Sequence, residues 1–90
     1  MTVARRYLIE GRVQGVGFRY FAQDAAVREH VSGYVRNLED GRVEAFAEGE
    51  QDAMDRFERS LRRGPRGAEV TSVAVEPAPP SGKVTGFHVR

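Results

Sequence analysis

Arg5-Arg6-Tyr7-Leu8-Ile9-Glu10-Gly11-Arg12-Val13 alternates, Gln14-Gly15-Val16-Gly17 breaks the alternation, and from Phe18 onward apolar residues recur at helical spacing. Tyr7, Ile9 and Val13 lie on one side of the first run and Arg6, Glu10 and Arg12 on the other, with Leu8 the single apolar exception. That pattern predicts a strand with one buried face. Phe18, Phe21, Ala22 and Ala25 then predict a helix over 18–29. A strand feeding a helix through a glycine-rich turn is the unit from which the rest of the chain is read.

Working outward, 31–37 reads as a second strand. Leu38-Glu39-Asp40-Gly41 is a turn, because Asp-Gly is the strongest short hairpin signal, and 42–48 supplies the partner strand with Val43, Ala45 and Ala47 on one face. Ala53, Met54, Phe57 and Leu61 place a second helix over 51–63, stopped by Gly64-Pro65. Arg62 and Arg63 at its end complement the helix dipole. Residues 69–76 alternate again, with Pro77, Pro79 and Pro80 expected to end that strand, and 87–90 has room for a short edge strand. The order is β-α-β-β-α-β with an extra terminal strand. Two helices do not cover both faces of a four- or five-stranded sheet. The economical arrangement puts both on one face of a mainly antiparallel sheet, an α+β, ferredoxin-like two-layer sandwich, with the other face open to water.

Ninety residues make one domain, 1–90, and a domain of this size buries only about 60–65% of its unfolded surface, so one core serves the whole chain. There are no cysteines, which excludes disulfides, thiolate metal sites, Fe–S clusters and a cysteine nucleophile. His30 and His88 are the only imidazoles, so a histidine-built metal site lacks material, and no metal is expected. No apolar run is long enough to span a membrane, and no secretory signal is seen; a cytoplasmic protein with no membrane partner is the default expectation. Fourteen Lys+Arg against thirteen Asp+Glu leave a net charge of +1, well short of a nucleic-acid binder's excess.

Chemistry concentrates in two segments. In Gly11-Arg12-Val13-Gln14-Gly15-Val16-Gly17-Phe18-Arg19, the glycines let the backbone curl so that successive N–H groups point inward, toward an anion. The free N–H groups of the helix start add to them. Arg19 in the first helical turn opposes the helix dipole at roughly 0.3–1 kcal/mol, which makes sense if an anion sits between it and those N–H groups; a merely solvated Arg19 on a flexible turn is the alternative. The loop is not a Walker motif, since no Gly-Lys-Ser/Thr follows, and Tyr20 stands where the dinucleotide fingerprint needs its third glycine. No nucleotide cofactor is expected. In the second segment, 33–43, Asn37 closes a strand before the hairpin. Its side chain either caps turn N–H groups or holds a water at a fixed point.

Both segments resemble the two signature motifs of the acylphosphatase family. The first has the form G-x-V-Q-G-V-x-F-R and the second G-aromatic-V-R-N-x3-G-x-V-x5-G, with every fixed position filled. The resemblance covers nearly the whole chain in length and element order. It implies hydrolysis of acyl phosphates to carboxylate and inorganic phosphate. On that reading the backbone of Gln14, Gly15, Val16, Gly17, Phe18 and Arg19 cradles the phosphate, the Arg19 guanidinium closes over it, and Asn37 aims the attacking water. Arg19 and Asn37 are then the catalytic residues. No cofactor is implied, and the expected partners are the small acyl phosphate and inorganic phosphate as product and competitor, acting on a monomer. One departure stands out: His30 occupies a helix C-cap where relatives often carry glycine, and is expected to take the left-handed conformation at a cost of about 1 kcal/mol. His30 and His88 are expected to be non-catalytic, and Glu39 and Asp40 to be turn residues.

Two rival functions follow from the same sequence. RNA-recognition domains share the element order, and Leu8, Tyr34 and Phe46 with Arg6, Arg12 and Arg36 would line an open sheet face. The aromatic-rich third-strand consensus of that family is absent from 41–49. The second rival is a binding or regulatory domain that keeps the anion pocket without turnover.

Overall fold

The computed structural model describes all 90 residues, Met1–Arg90. Its elements are β1 (Thr2–Arg12), α1 (Phe18–Glu29), β2 (Ser32–Asn37), β3 (Val43–Glu50), α2 (Gln51–Arg63), β4 (Glu69–Ala78) and β5 (Phe87–Val89). The strands form one sheet in the order β4-β1-β3-β2-β5, antiparallel except where β5 joins β2 in parallel. Both helices begin and end where the apolar spacing puts them. The expected sandwich forms, with a wet second face.

Three strand boundaries differ from the sequence expectation by two residues or more, and the others by at most one. β1 starts at Thr2 rather than residue 5, because it has β3 for a partner as far out as the Thr2–Glu50 pair. β3 runs to Glu50 for the same reason. β4 continues through Pro77 to Ala78, although three prolines suggested an end at Glu76. β4 is an edge strand, where a proline whose missing N–H faces outward removes no ladder bond.

The core lies between the sheet and the helices. Tyr7, Ile9, Val35, Val43 and Ala45 point up from the strands, joined by Val13 just past β1, and Phe18, Ala22, Met54, Phe57 and Leu61 point down from the helices. Phe57 joins the layers, with its ring edge-on to Tyr7 at 5.9 Å and to Phe87 at 5.7 Å. Burying such a side chain contributes about 1.5–3 kcal/mol. The Tyr7 hydroxyl is buried without a hydrogen-bond partner, and burial pushes its pKa up to about 12.

Two local features of the motifs have physical causes. Gly33 packs against β3 so closely that a Cβ would lie 1.8 Å from the Phe46 carbonyl oxygen, so no other residue fits there. His30 is the α1 C-cap at φ 58° and ψ 36°, the only non-glycine residue with positive φ, and its N–H donates to the Ala26 and Val27 carbonyls. The left-handed cap expected of this histidine is therefore formed.

The open face carries Leu8, Tyr34 and Phe46 as expected, but two of its three expected cations, Arg6 and Arg36, are already engaged, while the exposed Arg12 makes no ion pair. Glu44, 3% exposed, accepts hydrogen bonds from Arg6 at 2.7 Å and Arg36 at 2.5 Å, and Arg6 also reaches Glu76 at 2.9 Å. Burial works to raise the Glu44 pKa, but the Arg36 and Arg6 bonds outweigh it and hold the carboxyl below its ordinary range. Tyr34 stacks on Phe46 at 5.9 Å, and the Arg90 guanidinium covers Tyr34 at 4.0 Å from the ring centroid. A base-stacking platform needs free ring faces and free cations, and this face offers few of either.

Candidate functional site

β1 and β2 are each antiparallel to β3, so they run the same way and end at the same edge of the molecule. Ile9 and Asn37 both pair with Val43, one from each side. Two strand spacings put their Cα atoms roughly 10 Å apart. The glycine loop that follows β1 and the turn that follows β2 therefore share one end of the sheet, although some twenty residues separate them in sequence.

The loop is built by alternation of backbone sign. Gly15 and Gly17 have φ of 75° and 78°, and the residues between and around them keep negative φ. A Cβ at either glycine would meet nothing within 4 Å, so the conformation, not lack of space, calls for glycine there. Such alternation turns consecutive N–H groups to one side, a concave anion nest. Gly17 is also the N-cap of α1, with no side-chain cap and no acidic residue in the first turn. None of the N–H groups of Gln14 to Tyr20 donates to another part of the protein. A run of unpaired donors at a helix start is suited to an oxyanion.

Arg19, in the first turn of α1, donates from Nη1 to the main-chain oxygen of Arg90 at 2.7 Å. Arg90 is itself fixed, with its N–H donating to the Val35 carbonyl and its guanidinium over Tyr34. β5 is tied to α1 as well, through Gln23 Nε2 to the Phe87 carbonyl at 3.0 Å. The Arg19 side chain is thereby tied to the residue that follows β5 instead of hanging free in solvent.

Asn37 is exposed at the end of β2, and its side-chain amide makes no hydrogen bond with the protein. The turn is closed without it. Gly41 N–H donates to the Leu38 carbonyl, Leu38 N–H to the Arg42 carbonyl, and Asp40 Oδ1 accepts from Arg42 N–H at 3.1 Å. The Arg42 bonds, backbone N–H first, keep the Asp40 carboxyl below its ordinary range. Of the two readings of Asn37, the turn-capping one has no contact to rest on. Asp40 is a turn residue, as expected.

One contact was not foreseen. Gln14 Nε2 donates to the Leu38 carbonyl at 2.8 Å and to the Arg42 carbonyl at 3.0 Å, joining the loop to the turn beside Asn37. The sequence reading used only the Gln14 backbone; a glutamine inside a glycine loop does advertise two spare donors, but its partners lie 24 and 28 residues away. His30 and His88 stay apart from this end: His30 caps α1, and the His88 ring pairs with the Thr85 carbonyl. No cluster of three His, Asp or Glu side chains is arranged to hold a metal ion, and no helix is long and apolar enough to cross a membrane.

Known proteins resemble this chain throughout its length. The acylphosphatase family profile matches residues 5–89. An acylphosphatase of Pseudomonas aeruginosa is 54% identical over 82 residues, covering 91% of this chain and 89% of the relative. The crystal structure of acylphosphatase from Bacillus subtilis superposes with a TM-score of 0.94 at 36% identity over 98% of each chain. Full-length HypF, in a phosphate- and nucleotide-bound crystal structure, matches with a TM-score of 0.88 at 25% identity, covering all of this chain but 12% of that one.

Proposed function

The chain belongs to the acylphosphatase family, and on that footing we propose that it hydrolyses the carboxyl–phosphate bond of small acyl phosphates through Arg19, Asn37 and the backbone of residues 14–19. The N–H groups of Gln14, Gly15, Val16, Gly17, Phe18 and Arg19 hold the phosphate oxygens. The Arg19 guanidinium, a planar fork of donors, binds two of them at once. The Asn37 amide accepts one hydrogen bond from a water and orients it in line with the leaving oxygen. The water oxygen forms the new bond to phosphorus as the bond to the carboxyl oxygen breaks, and a proton passes from the water to a phosphate oxygen of the substrate. A carboxylate with a pKa of roughly 4 leaves without a general acid, so no histidine is required. Positioning and charge stabilisation are most of what phosphoryl transfer asks of a protein.

The observation that carries this reading is the run of unpaired N–H groups at the start of a helix whose first turn carries Arg19, with an unencumbered amide at the same end of the sheet. The test is hydrolysis of acetyl phosphate and carbamoyl phosphate against a phosphate monoester, with and without EDTA. Acyl phosphates should turn over unaffected by chelation, and the monoester, whose alkoxide needs a proton donor, should be nearly inert. Asn37→Ala should lower kcat by about 10²–10³, the scale of one preorganised polar contact, with phosphate affinity changed only a few-fold. Phosphate binding without turnover would favour the binding-domain reading instead, and turnover that depends on a divalent metal would overturn the mechanism.

A further inference from the structure

We infer that the Gln14 side chain is a positioning residue that sets the separation between the phosphate cradle and Asn37. The inference rests on the reading that Asn37 orients the water. Both partners of the Gln14 amide are carbonyl oxygens, so both must face its nitrogen, and both of its hydrogens are used. These bonds do not rescue orphaned acceptors. The Leu38 carbonyl also accepts from Gly41 N–H and the Arg42 carbonyl from Leu38 N–H, so each stays paired without Gln14. What the amide adds is a direct tether between the loop and the turn, which are otherwise joined through β3 and through the path from Arg19 by way of Arg90 to Val35. Leu38 directly follows Asn37, and Gln14 directly precedes the first left-handed glycine of the nest. Fixing Gln14 against Leu38 and Arg42 therefore fixes the water-holding amide relative to the anion. Arg19 is also held through Arg90 to Val35 of β2, the strand that ends at Asn37, so the cradle is tied to this stretch of chain at two points.

A tether of this kind acts on alignment, so its loss belongs in kcat rather than in binding. Misplacement by about 1 Å costs up to about 10²-fold in rate. Gln14→Ala should therefore lower kcat on acetyl phosphate by roughly 10–100-fold, while KM and the inhibition constant of inorganic phosphate stay within about threefold. The decisive measurement is the double-mutant cycle with Asn37→Ala. Once the water holder is gone there is nothing left to align, so adding Gln14→Ala to Asn37→Ala should change kcat by less than about threefold. Independent, multiplying effects of the two substitutions would overturn the proposal while leaving the role of Asn37 intact. So would a Gln14→Ala enzyme with a lower melting temperature and full kcat. An Asn37→Ala single variant with unchanged kcat would instead overturn the water-holding reading, and this inference with it. Gln14→Met, similar in length and uncharged but without a donor, repeats the cycle with the same expected outcome should Gln14→Ala fail to fold.

Discussion

Replacing Arg19 by alanine separates anion binding from fold stability, because the structure gives its side chain a single hydrogen bond to the rest of the protein. That bond is an exposed one to the main-chain oxygen of Arg90 at 2.7 Å, so its loss should cost the phosphate-free protein about 1 kcal/mol or less. Inorganic phosphate at ten times its dissociation constant stabilises the wild type by about 1.4 kcal/mol. For a domain of this size that raises the melting temperature by roughly 6–11 °C. On the proposed reading the guanidinium gives the anion two charge-assisted hydrogen bonds worth about 2 kcal/mol or more, so their removal should weaken binding roughly 30-fold. At the same phosphate concentration the occupied fraction collapses and the stabilisation falls to about 0.2 kcal/mol, a shift near 1 °C. The assay is a thermal-melt titration with phosphate on both proteins, each referenced to its own phosphate-free melting temperature. Arg19→Lys should resemble the alanine variant more than the wild type, since a point charge does not reproduce two parallel bonds. A full phosphate-dependent shift in Arg19→Ala would show that the anion binds elsewhere and that the cradle reading is wrong.

His30→Gly should stabilise the protein by about 1 kcal/mol, because glycine meets no Cβ penalty at φ 58°; chemical denaturation measures this, and an unchanged or lower midpoint would mean that the histidine side chain supplies a compensating contact. Acid should destabilise the fold from about pH 4.5 downward. Asp40, Glu44 and Glu48 are all held below their ordinary values of 3.8, 4.5 and 4.5, by Arg42, by Arg36 and Arg6 against the opposing effect of burial, and by Ser81 and Gly82 respectively. The unfolded chain then binds protons more readily than the folded one, so their stabilisation is present above those ordinary values and is lost as pH falls through them toward the folded pKa. Melting temperature followed from pH 7 to pH 3 should drop on this limb, and Glu44→Gln should flatten it. A flat limb in the wild type would contradict the assignment.

Much of the architecture was legible because it is local. Helix boundaries at Phe18, Glu29, Gln51 and Arg63 follow from apolar spacing and from Gly17, His30 and Gly64, all within a turn or two of the residues they govern. The glycines of the nest carry their own requirement for positive φ, and the two motifs around Arg19 and Asn37 identify the family from sequence alone. The strand ends were less legible: whether Pro77 stops a strand depends on whether that strand lies at the edge, and nothing near Pro77 states that β4 sits outside β1. The same holds for the open face, where Arg6, Arg36 and Glu44 read as unrelated charges until the register of β1, β2 and β3 makes them neighbours. Tertiary structure alone decided what holds the candidate site together. Gln14 reaches 24 and 28 residues along the chain, Arg19 reaches 71, and Asn37 is left without a partner because Asp40, Gly41 and Gln14 complete its turn. Periodicity records which face of an element is buried. It carries no information on which distant element will lie across from it, since that is set by sheet order and by the closing of the core over Phe57.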